Sequence, residues 1–237
     1  MKKLLLLFML FSTLLFSNTP YVMKDSKIQG RLNIVNGYAS ECMMNQFYTS
    51  TGWIKIEGEV GRNGIDGLYY KKKNGQIREV LVSESKWNTS RLGRSGKNKM
   101  VKQMSQHWVL RAMDKLERHK PLPQYSRIKK LIEHDQYRAR LFKVIPVKEE
   151  SIRIDIYKLK NKGENHFETF VESKLKPINL KDPKNSFEKN MLDAYHNCRE
   201  KALDKYFPML NKDDVEVLLK SNYLKKKHIR EVLREKL

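Results

Sequence analysis

Three scarcities narrow the functions open to this chain of 237 residues. The two cysteines form neither a CxxC motif nor a Cys/His spacing typical of zinc, so a structural zinc site is not expected. The six histidines are scattered, and none pairs with another at a metal-binding spacing, which argues against histidine-dependent nucleases. The longest apolar run covers 4–16, which is shorter than the roughly 20 residues that a membrane-spanning helix needs.

The start of the chain has the pattern of a secretory signal peptide. Lys2 and Lys3 precede the apolar run, and small polar residues follow it at Ser17 and Asn18. We therefore expect residues 1–18 to be a signal peptide, no stable membrane anchor after cleavage, and a periplasmic or secreted protein. No cysteine directly follows the run, so a lipid anchor is not indicated.

The cysteines themselves leave two possibilities open. In an exported protein, an even pair permits one disulfide bond, here between Cys42 and Cys198. Two buried free thiols are the alternative.

The charge of the chain favours an anionic partner. Lysine and arginine number 48 against 27 acidic residues, a formal charge of +21. Such an excess attracts polyanions and speeds their encounter with the protein. A generally lysine-rich surface explains the same composition, so charge supports nucleic-acid binding without establishing it.

The residue pattern predicts a mixed α/β core with a helical extension. Asn74-Gly75 between two β-rich runs predicts a hairpin. Helices are expected over 37–48, 98–117, 124–136, 186–207 and 215–237, and strands over 53–60, 65–70, 77–86, 140–147, 152–159 and 166–172. We expect residues 19–180 to form the core and the basic residues 181–237 to pack on it.

The hairpin carries residues that suit metal-assisted chemistry. Glu84 and Lys86 are two apart in a predicted strand and therefore project from one face, within reach of Asp66 on the partner strand. Two neighbouring carboxylates repel each other unless a cation lies between them, and oxygen ligands favour Mg²⁺ or Mn²⁺. Lys86 could orient or deprotonate a water molecule or stabilise developing charge.

These residues resemble a known family. Asp66 followed by Glu84-x-Lys86 at the end of a hairpin is similar to the PD-(D/E)xK, or restriction-endonuclease-like, nuclease superfamily. The stretches GIDGLY, VSESK, LG and QMSQHW resemble a subgroup found as toxin domains of bacterial polymorphic secreted proteins. The resemblance covers about 37–117, with a weaker echo to 159. Ile65 stands where the superfamily label names a proline, which many members lack.

The resemblance implies an αβββαβ core in which Asp66, Glu84 and Ser85 hold the metal and Lys86 serves catalysis. It also implies catalytic roles for Glu41, on the helix before the sheet, and Gln103, on the helix after the motif.

A basic stretch follows the motif closely and is expected to grip phosphates. Trp87 could stack on bases or pack in the core. The nucleic-acid-binding candidates are Arg91, Arg94, Lys97, Lys99 and Trp87.

A second carboxylate–lysine motif competes with the first. Glu172 and Lys174 repeat the ExK spacing, with Asp155 upstream at a similar distance. We prefer the first site because Asp66 lies between glycines, where the backbone can approach a ligand, and an Asn-Gly hairpin follows it.

The sequence thus predicts an exported Mg²⁺-dependent phosphodiesterase that cuts nucleic acid, with DNA preferred over RNA as partner. The alternative is a non-catalytic basic exported protein that binds DNA or an anionic envelope polymer. A ribonuclease with the same site is a second alternative. Whether a cognate inhibitor protein exists is not specified by the sequence.

Overall fold

The computed structural model describes residues 25–56, 64–95, 101–148, 151–163 and 165–206. Two compact units divide the chain, one of Asn33–Tyr206 and one of Met1–Leu32 with Phe207–Leu237. The predicted signal peptide, the predicted helix over 215–237, and Lys97 and Lys99 lie outside the described residues. Among the helices that are described, none is long and apolar enough to cross a membrane.

The described residues contain four helices and nine strands. The helices are α1 (Asp25–Ser50), α2 (Gln106–His119), α3 (Gln124–Glu133) and α4 (Ser186–Tyr206). The strands are β1 (Ile54–Lys55), β2 (Gly67–Lys73), β3 (Gln76–Trp87), β4 (Arg94–Ser95), β5 (Val101–Lys102), β6 (Arg138–Lys148), β7 (Ser151–Asn161), β8 (Phe167–Lys174) and β9 (Ile178–Asn179). The predicted mixed α/β class is confirmed.

Seven strands form one mostly antiparallel sheet. Their order is β1-β2-β3-β6-β7-β8, with β9 also paired to β7, while β4 and β5 form a separate ribbon. Within the seven-stranded sheet, β3 and β6 run parallel. A parallel pair needs a long crossover connection, and the segment containing α2 and α3 supplies it.

The sheet buries an apolar core on each face because its strands alternate. In β3, Val80 and Val82 face a core that includes Val109 of α2 and Ile128 of α3. Leu81, between them, faces a second core that includes residues of α1 and α4, among them Met43 and Met191. The sheet therefore lies between two helix pairs, which agrees with the apolar character of its central strands.

The Asn-Gly hairpin is confirmed and joins β2 to β3. Asn74 and Gly75 both have positive φ, at 53° and 75°, as a two-residue type I′ turn requires. The turn, together with a shift of register between Lys71 and Lys72, sets the pairing in which Gly67 faces Ser83.

The helix predicted over 98–117 is wrong in its first turns. Val101 and Lys102 are a strand paired with β4, and Met104 has a φ of 73°, which a right-handed helix cannot include. The helix begins only at Gln106. The strand predicted over 53–60 is also shorter in the described residues, since β1 covers only Ile54–Lys55 and 57–63 are not described.

A disulfide bond joins α1 to α4. Cys42 and Cys198 are bonded with a Cα–Cα distance of 6.4 Å, and 156 residues separate them in sequence. Disulfide bonds persist in oxidising compartments, so this bond is in keeping with the expected export.

We expect loss of this disulfide to lower stability markedly, because closing so long a loop removes much of the unfolded chain's entropy. The double variant Cys42→Ala/Cys198→Ala should lose about 2–5 kcal/mol of unfolding free energy, measured by urea titration. Reductant should destabilise the native protein and leave the double variant unchanged. Identical urea midpoints for the native protein with and without reductant would contradict the bond.

Candidate active site

Asp66 and Glu84 meet at the end of the sheet where β2 begins and β3 ends. Asp66 immediately precedes β2. Because Gly67 pairs with Ser83, Asp66 lies beside the last residues of β3. Glu84 and Lys86 project from one face of β3, as the sequence predicts, and Lys86 Nζ lies 2.6 Å from Glu84 Oε1.

The two carboxylates are held by different neighbours. The backbone N–H of Ser85 donates to Asp66 Oδ2 at 2.9 Å. Glu84 Oε1 accepts from both Lys86 Nζ and the Gln103 side-chain amide. Glu84 Oε2 is buried and has no hydrogen-bond partner in the structure as described. One oxygen of the pair is therefore buried without a donor in the described structure and would gain from a further ligand.

Burial makes this pair unfavourable in its doubly charged form. Glu84 is 2 % exposed, and burial, followed by the charge of Asp66, raises the pKa of Glu84 to about 8 although Lys86 opposes the shift. Burial also raises the pKa of Asp66, against the lowering effect of the Ser85 N–H and Lys86. Without a further cation the pair retains a proton near neutral pH.

The oxygens present fit a hard divalent cation that keeps part of its hydration shell. Among the described residues, no group of three or more His, Cys, Asp or Glu side chains could hold a metal ion. Mg²⁺, however, is commonly held by only one or two carboxylates and retains several water molecules. The Ser85 side chain alternates away from Glu84, so any metal contact by Ser85 would come from its backbone.

A cleft of about 740 Å³ opens above the carboxylates. Glu41 of α1, Gln103, Trp87, Arg91 and Arg94 all line it, so the structure brings these predicted site residues together. Trp87 also stacks on Tyr195 of α4, with ring centroids 6.2 Å apart.

Gln103 reaches the site from a turn, which corrects its expected position on a helix. It precedes α2, because the chain first pairs as β5 and then turns at Met104. The side-chain oxygen of Gln103 accepts from the Gly93 N–H at 3.0 Å, and the backbone N–H of Gln103 donates to the Gly93 carbonyl at 2.9 Å. Gln103 therefore ties the basic stretch after β3 to Glu84.

Arg111 and Lys115 also line the cleft, and sequence reasoning missed them. They are one turn apart on α2. The acidic residues of the same helix turn to α3 instead: Lys129 lies 2.8 Å from Asp114 and 3.1 Å from Glu117. The i, i+4 spacing of Arg111 and Lys115 was the signal available in the sequence. The ion pairs that direct the acidic residues of the same helix to α3 are tertiary contacts, which the spacing does not show.

The rival motif has a different electrostatic character. Asp155 is 1 % exposed and accepts two hydrogen bonds from Arg153, at 2.7 and 3.0 Å. Glu172 is paired with Arg140. Each rival carboxylate thus has its own arginine, whereas Asp66 and Glu84 share one lysine.

Comparisons of the chain with protein-family models, curated proteins and solved structures find no match. The family resemblance therefore stays a prediction, and the function is argued from the geometry of the site.

Gly67 should be required by packing beside the site. A Cβ there would lie 2.5 Å from Cε2 of Tyr69. The Tyr69 ring is buried, and its hydroxyl group donates a hydrogen bond to Asn45 of α1, so the ring has little freedom to move. We expect Gly67→Ala to cost about 1–3 kcal/mol in urea unfolding. The double variant Gly67→Ala/Tyr69→Leu should show a smaller penalty than the sum of its single variants. Simple additivity would contradict the clash.

The raised pKa of Glu84 predicts that this residue destabilises the metal-free protein above neutral pH. The folded protein binds a proton that the unfolded chain releases near pH 4.5, so stability falls as the pH rises from about 4.5 toward 8. Glu84→Gln should therefore raise the melting temperature at pH 8 in EDTA and change it little at pH 4.5. Glu172→Gln, the matched control, should show no such pH-dependent gain, and a lower melting temperature for Glu84→Gln at pH 8 would contradict the prediction.

Proposed function

We propose that this protein is an exported, metal-dependent nuclease that hydrolyses phosphodiester bonds, with DNA as the preferred substrate. The observation that carries the proposal is the buried pair of Asp66 and Glu84, in which Glu84 Oε2 has no donor in the described structure. Lys86 lies beside the pair, and basic side chains line the cleft. Perturbed carboxylates with a specific charged partner in a cleft are characteristic of functional sites.

The topology supports the finer fold expected from the resemblance. One helix, three strands, a helical crossover and a strand follow one another as α1, β1–β3, α2–α3 and β6. The ribbon of β4 and β5 is inserted before the crossover. This succession is consistent with an αβββαβ core, in which the two carboxylates would lie where the second strand begins and the third strand ends.

The charge distribution in the cleft suits a phosphodiester. Asp66 and Glu84 would hold a divalent ion, which when bound polarises a phosphoryl oxygen and lowers the pKa of bound water. The Lys86 ammonium group adjoins the same carboxylate and can stabilise charge that develops on the phosphate. Arg91, Arg94, Arg111 and Lys115 line the cleft and would bind the phosphates on either side.

Gln103 has a positioning role in this proposal. It donates to Glu84 Oε1, the oxygen that also accepts from Lys86, and it is anchored in turn to Gly93. Gln103 thus holds the Glu84 carboxylate through Oε1 and leaves Oε2 without a donor in the described structure. Glu41 lines the cleft from α1 and adds a carboxylate to its wall.

Purified protein should degrade DNA in Mg²⁺ or Mn²⁺ and lose this activity in EDTA, as circular and linear substrates would show. Asp66→Ala, Glu84→Gln and Lys86→Ala should each lower the rate by roughly a hundred-fold or more, because each removes a group from the reacting centre. An RNA substrate in the same assay tests the preference for DNA.

Glu172→Gln is the matched control, because it alters the second ExK motif and should retain activity near the native rate. Native rates for the Asp66, Glu84 and Lys86 variants, or activity that persists in EDTA, would refute the proposal. Salt-sensitive DNA binding without any metal-dependent cleavage would instead favour the non-catalytic binding protein.

A further inference from the structure

We infer that one strand of the nucleic acid leaves the cleft along a row of lysines that crosses the sheet toward its β8 edge. The lysine row consists of Lys86, Lys143 and Lys174. The inference rests on the proposed function, and it assigns a binding surface beyond the cleft.

Strand register places these residues side by side. Lys86 of β3 is paired with Lys143 of β6, Lys143 with Asp155 of β7, and Asp155 with Lys174 of β8. Directly paired residues project from the same face of a sheet. The row therefore starts at the lysine of the candidate site and lies on the face from which Glu84 projects.

Lys86 is paired with Glu84, but the rest of the row has a net positive charge because Asp155, which lies between Lys143 and Lys174, is already compensated. Asp155 is bonded twice by Arg153, which lies two residues away on the same face of β7. Lys143 is half-buried and Lys174 is exposed. In the part of the chain that the structure describes, neither has an ion-pair partner, so both ammonium groups are available to phosphates.

The length of the row sets the length of strand that it can bind. Neighbouring strands are about 4.8 Å apart, so three intervals from Lys86 to Lys174 span about 14 Å. At roughly 3.4 Å or more per nucleotide, about four nucleotides beyond those held in the cleft cover this distance. An oligonucleotide that only fills the cleft would not reach Lys174, whereas a longer one would.

The test measures binding in EDTA, so that it does not depend on cleavage. Fluorescein-labelled single-stranded DNA of 4 and 12 nucleotides is titrated with native protein and with Lys143→Ala/Lys174→Ala, and anisotropy gives the affinity. We expect the double variant to bind the 12-mer at least about five-fold more weakly and the 4-mer within about two-fold of native protein. The slope of log affinity against log salt for the 12-mer should fall by roughly 1.4, for two lost phosphate contacts.

The matched control is Lys158→Ala/Lys160→Ala, which removes two exposed lysines from β7 that alternate to the opposite face. It should bind both oligonucleotides within about two-fold of native protein. Lys143→Arg/Lys174→Arg should bind the 12-mer within about two-fold of native protein, because it keeps both positive charges. Near-native binding of the 4-mer by the alanine variant excludes a loss caused by misfolding.

Equal losses for the 4-mer and the 12-mer, or an equal loss in the control, would overturn the lysine row as a strand-binding surface. Absence of nuclease activity would refute the proposed function by a separate measurement, because binding in EDTA is measured without turnover.

Discussion

The constraint on which this structure depends is the burial of two carboxylates side by side at the end of the sheet. Apolar groups in place of Asp66 and Glu84 would be expected to stabilise the fold, because buried charge is costly unless it is fully compensated. Here compensation is partial: the Ser85 N–H, Lys86 and Gln103 occupy some of the oxygens, and Glu84 Oε2 has no partner in the described structure. A bound cation would complete the set of partners. Under the proposed function, the buried pair therefore lowers the stability of the metal-free protein and favours cation binding.

Several features outside the cleft hold this arrangement in place. Tyr69 packs over Gly67, next to Asp66, and its hydroxyl bonds Asn45 on α1, one turn from Glu41. On the other side, Met104 accepts an unfavourable positive φ while its side chain is fully buried. That turn delivers Gln103 to Glu84. Tight packing therefore occurs at Gly67, next to Asp66, and backbone strain occurs at Met104, next to Gln103.

Local rules predicted the centre of the site, and long-range contacts decided its surroundings. The Asn-Gly turn and strand alternation are sufficient to place Glu84 and Lys86 on one face. Helical spacing misplaced Gln103, because the pairing of β5 with β4 is invisible to periodicity. The sequence left the disulfide open for the same reason, since its partners are 156 residues apart. The position of Arg111 beside the cleft likewise depends on how α2 packs on α3, where Lys129 pairs with Asp114 and Glu117.

The two ExK motifs show why spacing alone does not define such a site. Both place a glutamate and a lysine two residues apart on a strand, and both have an aspartate nearby. In the second motif, Arg153 binds Asp155 and Arg140 binds Glu172, so each negative charge is matched by an arginine. In the first, two carboxylates share Lys86, and burial raises the pKa of both. The distinguishing property is the local balance of charge. Arg153 lies on the same strand as Asp155 and is visible in the sequence, whereas the pairing of Glu172 with Arg140 of β6 depends on the fold.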